Sequence, residues 1–160
     1  TQQMDGGVRT RLMRDGNSAA KRGGEMVAQD EFEEIVFDPR IPVYLQVVRH
    51  FKERIATGRL REGEVIPSRR ELAAMLNINP NTAQRAYREM EEQKLIVTEG
   101  NKESRITTDE QVLRSVRSEL IESEVEAFVR AVRKIDVSLE ELIGLLQRKY
   151  EEMAGGKGHD

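Results

Sequence analysis

The stretch PSRRELAAMLNINPNTAQRAYREMEEQKLIV, residues 67–97, reads as two short helices joined by a tight polar turn and followed by a strand. Ser68 is placed as an N-cap. With Glu71 three residues on it forms a capping box, and the helix it opens buries Leu72, Ala73 and Leu76. Asn77-Ile78-Asn79 is a turn with one inward apolar residue. Asn79 before Pro80 is a second start signal, an N-cap with proline at the first helical position. The second helix turns Ala83, Ala86, Tyr87 and Met90 inward and leaves Asn81, Gln84, Arg85 and Arg88 on or near the outside. Hydrocarbon on one face, with amides, a hydroxyl and guanidinium groups on the other, is the chemistry of a helix-turn-helix whose second helix enters the DNA major groove.

The flanks complete the domain. Upstream, Tyr44, Val47, Val48, Phe51 and Ile55 form one stripe, predicting a helix from Val43 to Thr57 that Gly58 ends. Phe32 to Pro42 reads as a short extended lead-in, where two prolines forbid a continuous helix. Downstream, the period changes after Lys94. Leu95-Ile96-Val97-Thr98 and Arg105-Ile106-Thr107 read as two strands joined by the loop 99–104, a wing behind the helix-turn-helix.

Thr108 with Gln111 is a second capping box, opening a helix to Ile135 with apolar positions Val112, Val116, Leu120, Val125, Phe128, Val132 and Ile135. Ser138 with Glu141 is a third, opening a helix to Met153 along Leu139, Leu142, Ile143, Leu146 and Tyr150. The expected fold is mainly α with a small β-hairpin. The predicted division is a flexible N-terminal tail over 1–34, a winged helix-turn-helix DNA-binding domain over 35–108, a two-helix dimerisation region over 109–153, and a disordered tail over 154–160.

Composition bounds the function. The 160 residues are 38% apolar and 34% charged, with a mean hydropathy of -0.62. Aromatics are only 4% and Trp is absent, so no single large core is expected. Without cysteine there is no disulfide and no thiolate metal site. No apolar run approaches the ~20 residues that span a bilayer, and no signal-peptide core is present, so a cytoplasmic, nucleoid-associated protein without membrane contact is expected. The net charge of -3 is uneven: residues 40–107 carry 13 Lys/Arg against 9 Asp/Glu, residues 108–160 carry 8 against 12, and residues 1–39 carry 5 against 8. The basic excess sits where phosphate contact requires it.

Residues 1 to 30 are rich in Gly and polar groups, without a sustained apolar period. Two readings stand side by side. One is a flexible tail. The other takes Arg22-Gly23-Gly24-Glu25 before Met26 as a ribosome-binding site read through as protein, with the native start at Met26.

Pro42-Val43-Tyr44-Leu45-Gln46, Pro67-Ser68-Arg69-Arg70-Glu71-Leu72-Ala73 and Asn79-Pro80-Asn81-Thr82, in that order, resemble the GntR family of bacterial transcription regulators. Asn-Pro-Asn-Thr followed by Gln84-Arg85-Ala86-Tyr87, together with the short C-terminal part, is similar to the YtrA subfamily. The resemblance covers residues 35–107 by motif and 108–153 by size and helical character. It implies a winged helix-turn-helix, a dimer, and repression of nearby transport genes, often those of ABC transporters. One departure is visible. The family's wing usually carries a basic Arg-Gly-Lys-Gly-like tip, whereas this tip is Glu99-Gly100-Asn101-Lys102-Glu103-Ser104. Its carboxylates disfavour minor-groove insertion and leave phosphate contact by Lys102 or Arg105.

The candidate DNA-binding residues are Arg69, Arg70, Asn79, Asn81, Thr82, Gln84, Arg85, Arg88 and Lys102. By the resemblance Arg70 contacts DNA; the competing reading is an exposed helix arginine, and Arg69 has a weaker claim. Asn79, Asn81 and Thr82 lie at the first turn of the second helix, where backbone N–H groups attract phosphate and amides pair with adenine. Asn79 serves equally well as a plain helix cap. Gln84 suits adenine and Arg85 guanine, or either holds phosphate. Arg88 is a phosphate contact or a solvated group. Tyr87 falls at core spacing and reads as packing. His50, beside Arg49 and Lys52, reads as solvated or capping rather than as a ligand.

Two amphipathic helices of this length cannot bury both stripes alone, so a symmetric mate giving a small bundle is expected, with packing on the winged domain as the alternative. The functional expectation is a homodimeric, sequence-specific regulator of double-stranded operator DNA, most simply a repressor. The rival is a winged-helix protein-interaction module that never touches DNA, which the acidic wing favours. An enzyme is disfavoured: there is no glycine-rich phosphate loop, no paired His and no HExxH-like helix. No cofactor or metal is expected. A C-terminal region of about 45 residues leaves little room for an enclosed ligand pocket. A small-molecule effector is not legible; a ligand at the dimer seam, or none, are the options.

Overall fold

The computed structural model describes residues 35–156 continuously, with Phe32 and three two-residue strands, Val8–Arg9 (β1), Lys21–Arg22 (β2) and Glu25–Met26 (β3). The expectations of a flexible leader and of a start at Met26 fall largely on residues outside those described, as do the last four residues of the predicted C-terminal tail. Strand β4, Val36–Phe37, pairs antiparallel with β1, and β2 pairs with β3. Then come α1 (Val43–Ala56), α2 (Arg69–Leu76), α3 (Pro80–Glu92), β5 (Ile96–Thr98), β6 (Ser104–Ile106), α4 (Glu110–Val132) and α5 (Leu139–Gly155). The chain divides into two compact units, residues 1–120 and 121–160.

In the first unit, α1 and α2 both pack on α3. Its core joins Val47, Val48, Phe51 and Ile55 of α1 to Leu72 and Leu76 of α2, and to Ala86, Tyr87 and Met90 of α3. The aromatic residues meet there: Phe32 and Phe51 have ring centroids 5.1 Å apart, and Phe51 meets Tyr87 edge-on at 6.2 Å. The core thus reaches Phe32, upstream of the expected domain start at 35.

The start of α1 is held by a side chain. Gln46 Oε1 accepts from the Asp38 amide at 2.8 Å, while Gln46 Nε2 donates to the Asp38 and Ile41 carbonyls at 2.8 Å each. The preceding turn is thereby clamped to the first two turns of the helix. Gly58, at φ +76°, ends α1 in the left-handed region that favours glycine.

The capping box of α2 is complete. Ser68 Oγ accepts from the Glu71 amide at 3.1 Å, and Glu71 Oε2 accepts from the Ser68 amide at 3.2 Å. Asn77 ends the helix at φ 49°, a conformation that Asn tolerates better than most side chains. Asn79 caps α3 by accepting from the Asn81 amide at 2.8 Å, with Pro80 at the first helical position.

Strands β5 and β6 pair in the register Ile96–Ile106, Val97–Arg105 and Thr98–Ser104. The segment before α2 lines the hairpin as a third rung: Gly63 donates to Ile106, Ile106 to Glu64 and Ile66 to Ser104, at 2.9 to 3.0 Å.

The sequence expectations for α4 need correction at both ends. Its N-terminal oxygen is Asp109 Oδ1, which accepts from Gln111 at 2.9 Å and Val112 at 3.4 Å, and not the Thr108 hydroxyl. Thr107 Oγ1 takes the Asp109 amide at 3.1 Å. The helix stops at Val132 rather than Ile135, and α5 continues to Gly155, beyond Met153. The division between units falls inside α4, whose Val112, Leu113 and Val116 pack on the core of the first unit.

In the second unit α5 is capped by Ser138 Oγ, which accepts from the Glu141 amide at 3.2 Å. Its apolar residues lie open: Ile121, Val125, Phe128 and Val129 on α4, and Leu139, Ile143, Leu146 and Tyr150 on α5, are all exposed.

Candidate nucleic-acid interface

Helix α3 is two-sided. Ala83, Ala86, Tyr87 and Met90 have 0% exposure. Asn81, Gln84, Arg85 and Arg88 are exposed and recur three or four residues apart, so they share one face opposite the core. The buried side anchors the helix through a large apolar area and one hydrogen bond, the Tyr87 hydroxyl donating to the Pro67 carbonyl. Burial pushes the Tyr87 phenol well above its ordinary range, and the nearby Glu71 carboxylate adds to the effect. Tyr87 is therefore a neutral core donor, in agreement with its spacing in the sequence.

The nine candidate residues do not form one equivalent set. Arg70, Asn79, Asn81, Gln84, Arg85, Arg88 and Lys102 are exposed, and Thr82 is half-buried at the first turn of α3. Asn79 has its side-chain oxygen committed to the helix cap. Arg69 is half-buried and engaged within the domain: its Nη2 lies 2.8 Å from Glu91 Oε1, and its guanidinium carbon sits 5.6 Å from the Tyr87 ring centroid. Arg85 is exposed yet partnered, its guanidinium carbon 3.9 Å from the Tyr44 ring centroid and its Nη2 donating to the Tyr44 hydroxyl at 3.3 Å.

At the wing, Lys102 closes a turn by donating its amide to the Glu99 carbonyl at 3.0 Å, with Gly100 at φ +60°. The Lys102 side chain is exposed. Arg105 is held back, its Nη1 donating to the Gly63 carbonyl at 3.0 Å and its Nη2 3.5 Å from Glu103 Oε2. Of the two wing cations, Lys102 is the better placed to reach a phosphate.

Sequence reasoning missed Tyr44 as a partner of Arg85 and Glu91 as a partner of Arg69. Both partners are distant in sequence. The one available signal for Tyr44 was its place in the Pro42–Gln46 motif, outside the helix-turn-helix itself.

A model of the GntR family of bacterial regulatory proteins matches residues 43–106, from the start of α1 to the end of β6. The HTH-type transcriptional repressor YtrA of Bacillus subtilis is 30% identical over 129 residues, 79% of this chain and 99% of YtrA. The chain belongs to the GntR family. The HTH-type regulator YhcF of Bacillus subtilis is 29% identical over 107 residues, covering 67% of this chain and 88% of YhcF. Among solved structures, a GntR family transcriptional regulator from Listeria monocytogenes superposes with a TM-score of 0.63 at 31% identity, over 70% of this chain and 98% of that one. A transcriptional regulator from Oenococcus oeni gives a TM-score of 0.62 at 29% identity, over 72% and 97%. These GntR relatives are transcription regulators, not enzymes, and the chain is a DNA-binding transcription regulator of that family with a winged-helix fold. Among the described residues, no helix is long and apolar enough to cross a membrane.

Proposed function

We propose that the protein is a homodimeric repressor that places one copy of α3 in each of two successive major grooves of an operator with two-fold character. The observation that carries this reading is the two-sidedness of α3: a fully buried hydrocarbon face opposite exposed Asn81, Gln84, Arg85 and Arg88. Amides pair bidentately with adenine and guanidinium with guanine, so Asn81, Gln84 and Arg85 read base edges, and Thr82 lies against the same groove wall. Arg70, Arg88 and Lys102 neutralise phosphates. Asn79 acts first as the cap that presents the helix. Arg69 acts through Glu91 and Tyr87, fixing α2 against α3 rather than reaching DNA itself.

The exposed apolar residues of α4 and α5 support the dimer. An open stripe of this kind is unfavourable in water, and a second copy supplies a self-complementary cover. Two half-sites then multiply the discrimination available to one short helix. Repression is supported by the likeness to YtrA, itself a repressor, and transport-type genes near the protein's own gene are the targets that the family resemblance of the sequence motifs implies. The test is the salt dependence of binding to a duplex from the protein's own promoter. Affinity falls steeply between about 50 and 200 mM salt if phosphates are neutralised, and Arg70→Ala, Arg88→Ala and Lys102→Ala, each present in both protomers, each shallow the slope by about two. No duplex binding at low salt would point instead to a protein-interaction module, the reading that Glu99 and Glu103 at the wing tip favour.

A further inference from the structure

Among the described residues, Arg85 is the one cation on the outer face of α3 that rests on an aromatic ring. Its guanidinium lies 3.9 Å over the Tyr44 ring, and Nη2 donates to the Tyr44 hydroxyl at 3.3 Å. The ring quadrupole attracts the cation, and the Tyr44 hydroxyl takes one Nη2 N–H. A guanidinium carries several further N–H donors, which stay available. Bidentate pairing with guanine O6 and N7 needs two of them, so the ring contact and base reading do not compete. A free surface arginine has many rotamers to lose when it docks; one already stacked has fewer.

The ring itself is fixed. Tyr44 lies in the first turn of α1, half-buried against the core. The start of that helix is tied to the preceding turn by the three hydrogen bonds of Gln46. Helix α1 in turn packs along α3. Gln46 therefore sets the helix start, the helix start sets Tyr44, and Tyr44 sets Arg85.

We infer that Tyr44 is a positioning residue for sequence recognition, which holds Arg85 preset to read a guanine, and that the Pro42–Gln46 segment is the support of that platform. The inference rests on the proposed entry of α3 into the major groove. It moves part of the specificity out of the helix-turn-helix and onto α1. Removing the ring lowers discrimination at the guanine read by Arg85 while leaving non-specific, phosphate-driven binding in place.

The experiment uses the full chain, a promoter duplex on which it leaves a footprint, and single-base variants of that duplex. Binding is measured by fluorescence anisotropy for wild type, Tyr44→Phe, Tyr44→Leu, Arg85→Ala and Tyr44→Leu/Arg85→Ala, with thermal melts confirming that each is folded. Tyr44→Met is the second ring-free variant should the leucine form fail to fold. The expected result is that loss of the ring weakens operator binding roughly tenfold and flattens preference at the same base pair as Arg85→Ala. Tyr44→Phe, which keeps the stack, retains most of the affinity. The double variant binds no more weakly than Arg85→Ala alone, because the ring acts only through the arginine.

Tighter binding on loss of the ring would mean that Tyr44 parks Arg85 away from DNA, and would overturn the inference. So would unchanged binding, or losses that multiply in the double variant. If Arg85→Ala changes neither affinity nor base preference while Asn81→Ala and Gln84→Ala weaken binding, the inference fails and the groove reading stands. If none of the three weakens binding, the groove reading fails, and the inference with it.

Discussion

Arg69 of α2 and Glu91 of α3, twenty-two residues apart in sequence, form an ion pair of 2.8 Å. The same carboxylate oxygen accepts from Thr98 Oγ1 at 3.2 Å, and Thr98 meets Ser104 Oγ across the hairpin at 2.6 Å. One oxygen therefore joins both helices of the DNA-reading motif to the loop end of the β5–β6 hairpin. Both side chains are partly open, 42% and 34% exposed, so solvent screens the pair and its worth is about 1 kcal/mol. Glu91→Ala is expected to lower the melting temperature by roughly 4–8 °C for a domain of this size. The loss should shrink in 0.5 M salt, where charge pairing is screened. An unchanged melting temperature at low salt would show that the pair holds nothing together.

Asn79 separates two roles that the sequence left equal. Its side-chain oxygen is already bound to the Asn81 amide. Asn79→Ala is expected to cost about 1 kcal/mol of stability through loss of the cap. Asn79→Ser, which restores a capping oxygen on a shorter side chain, should recover that stability and keep operator affinity within a few-fold of wild type. Recovered stability with affinity still lost would make Asn79 a direct base contact.

Tyr87 makes stability depend on pH at the alkaline end. Burial raises its folded-state pKa, whereas the unfolded phenol ionises near its ordinary value of about 10. Above that pH the unfolded chain binds fewer protons than the folded one, so stability falls as pH rises; below it the full contribution is present. Urea midpoints measured from pH 8 to 11 should fall more steeply for wild type than for Tyr87→Phe. At pH 8 the variant should be less stable by about 1–3 kcal/mol, because the Pro67 carbonyl loses its donor. Parallel pH profiles would exclude Tyr87 as the titrating group.

The parts legible in the sequence are those set by neighbours within four residues. Ser68 with Glu71, Asn79 with Pro80, Gly58 after α1, and the inward set Ala83, Ala86, Tyr87 and Met90 all follow from local capping, proline and periodicity rules, and all stand in the structure. The cap of α4 is ambiguous in the sequence because Thr108 and Asp109 are adjacent and both are good caps; the shorter path to the Gln111 amide decides for Asp109. What the sequence hid is the pairing of side chains across long separations. Phe32 meets Phe51, Arg69 meets Glu91, and Arg85 meets Tyr44 only once α1, α2 and α3 have packed. Thus Arg69, which the Pro67–Ala73 motif offers as a weaker DNA candidate beside Arg70, has its charge paired with Glu91, and Tyr44, which the sequence places on the apolar stripe of α1, supports a polar contact.

The exposed stripe of α5 gives the dimer a direct check. Ile143 is 53% exposed and lies between Leu139 and Leu146 on the stripe. Ile143→Asp places a carboxylate that a mate would have to desolvate, which is strongly unfavourable. By sedimentation velocity the wild type should run as a dimer and the variant as a monomer. The variant should keep its thermal transition in the first unit and lose most of its operator affinity. A wild-type chain that sediments as a monomer at micromolar concentration would remove the two-half-site reading.

The most direct test of the groove assignment is a hydroxyl-radical footprint of the purified protein on its own promoter at low ionic strength, run in parallel with Gln84→Ala/Arg85→Ala. The wild type should protect two patches whose centres are about 10–10.5 base pairs, or a multiple, apart. The double variant, whose fold is checked by a thermal melt because Arg85 gives up its contact with Tyr44, should lose that protection at matched concentration. Promoter DNA left unprotected by the wild type, or protected alike by both proteins, would contradict the entry of α3 into the groove.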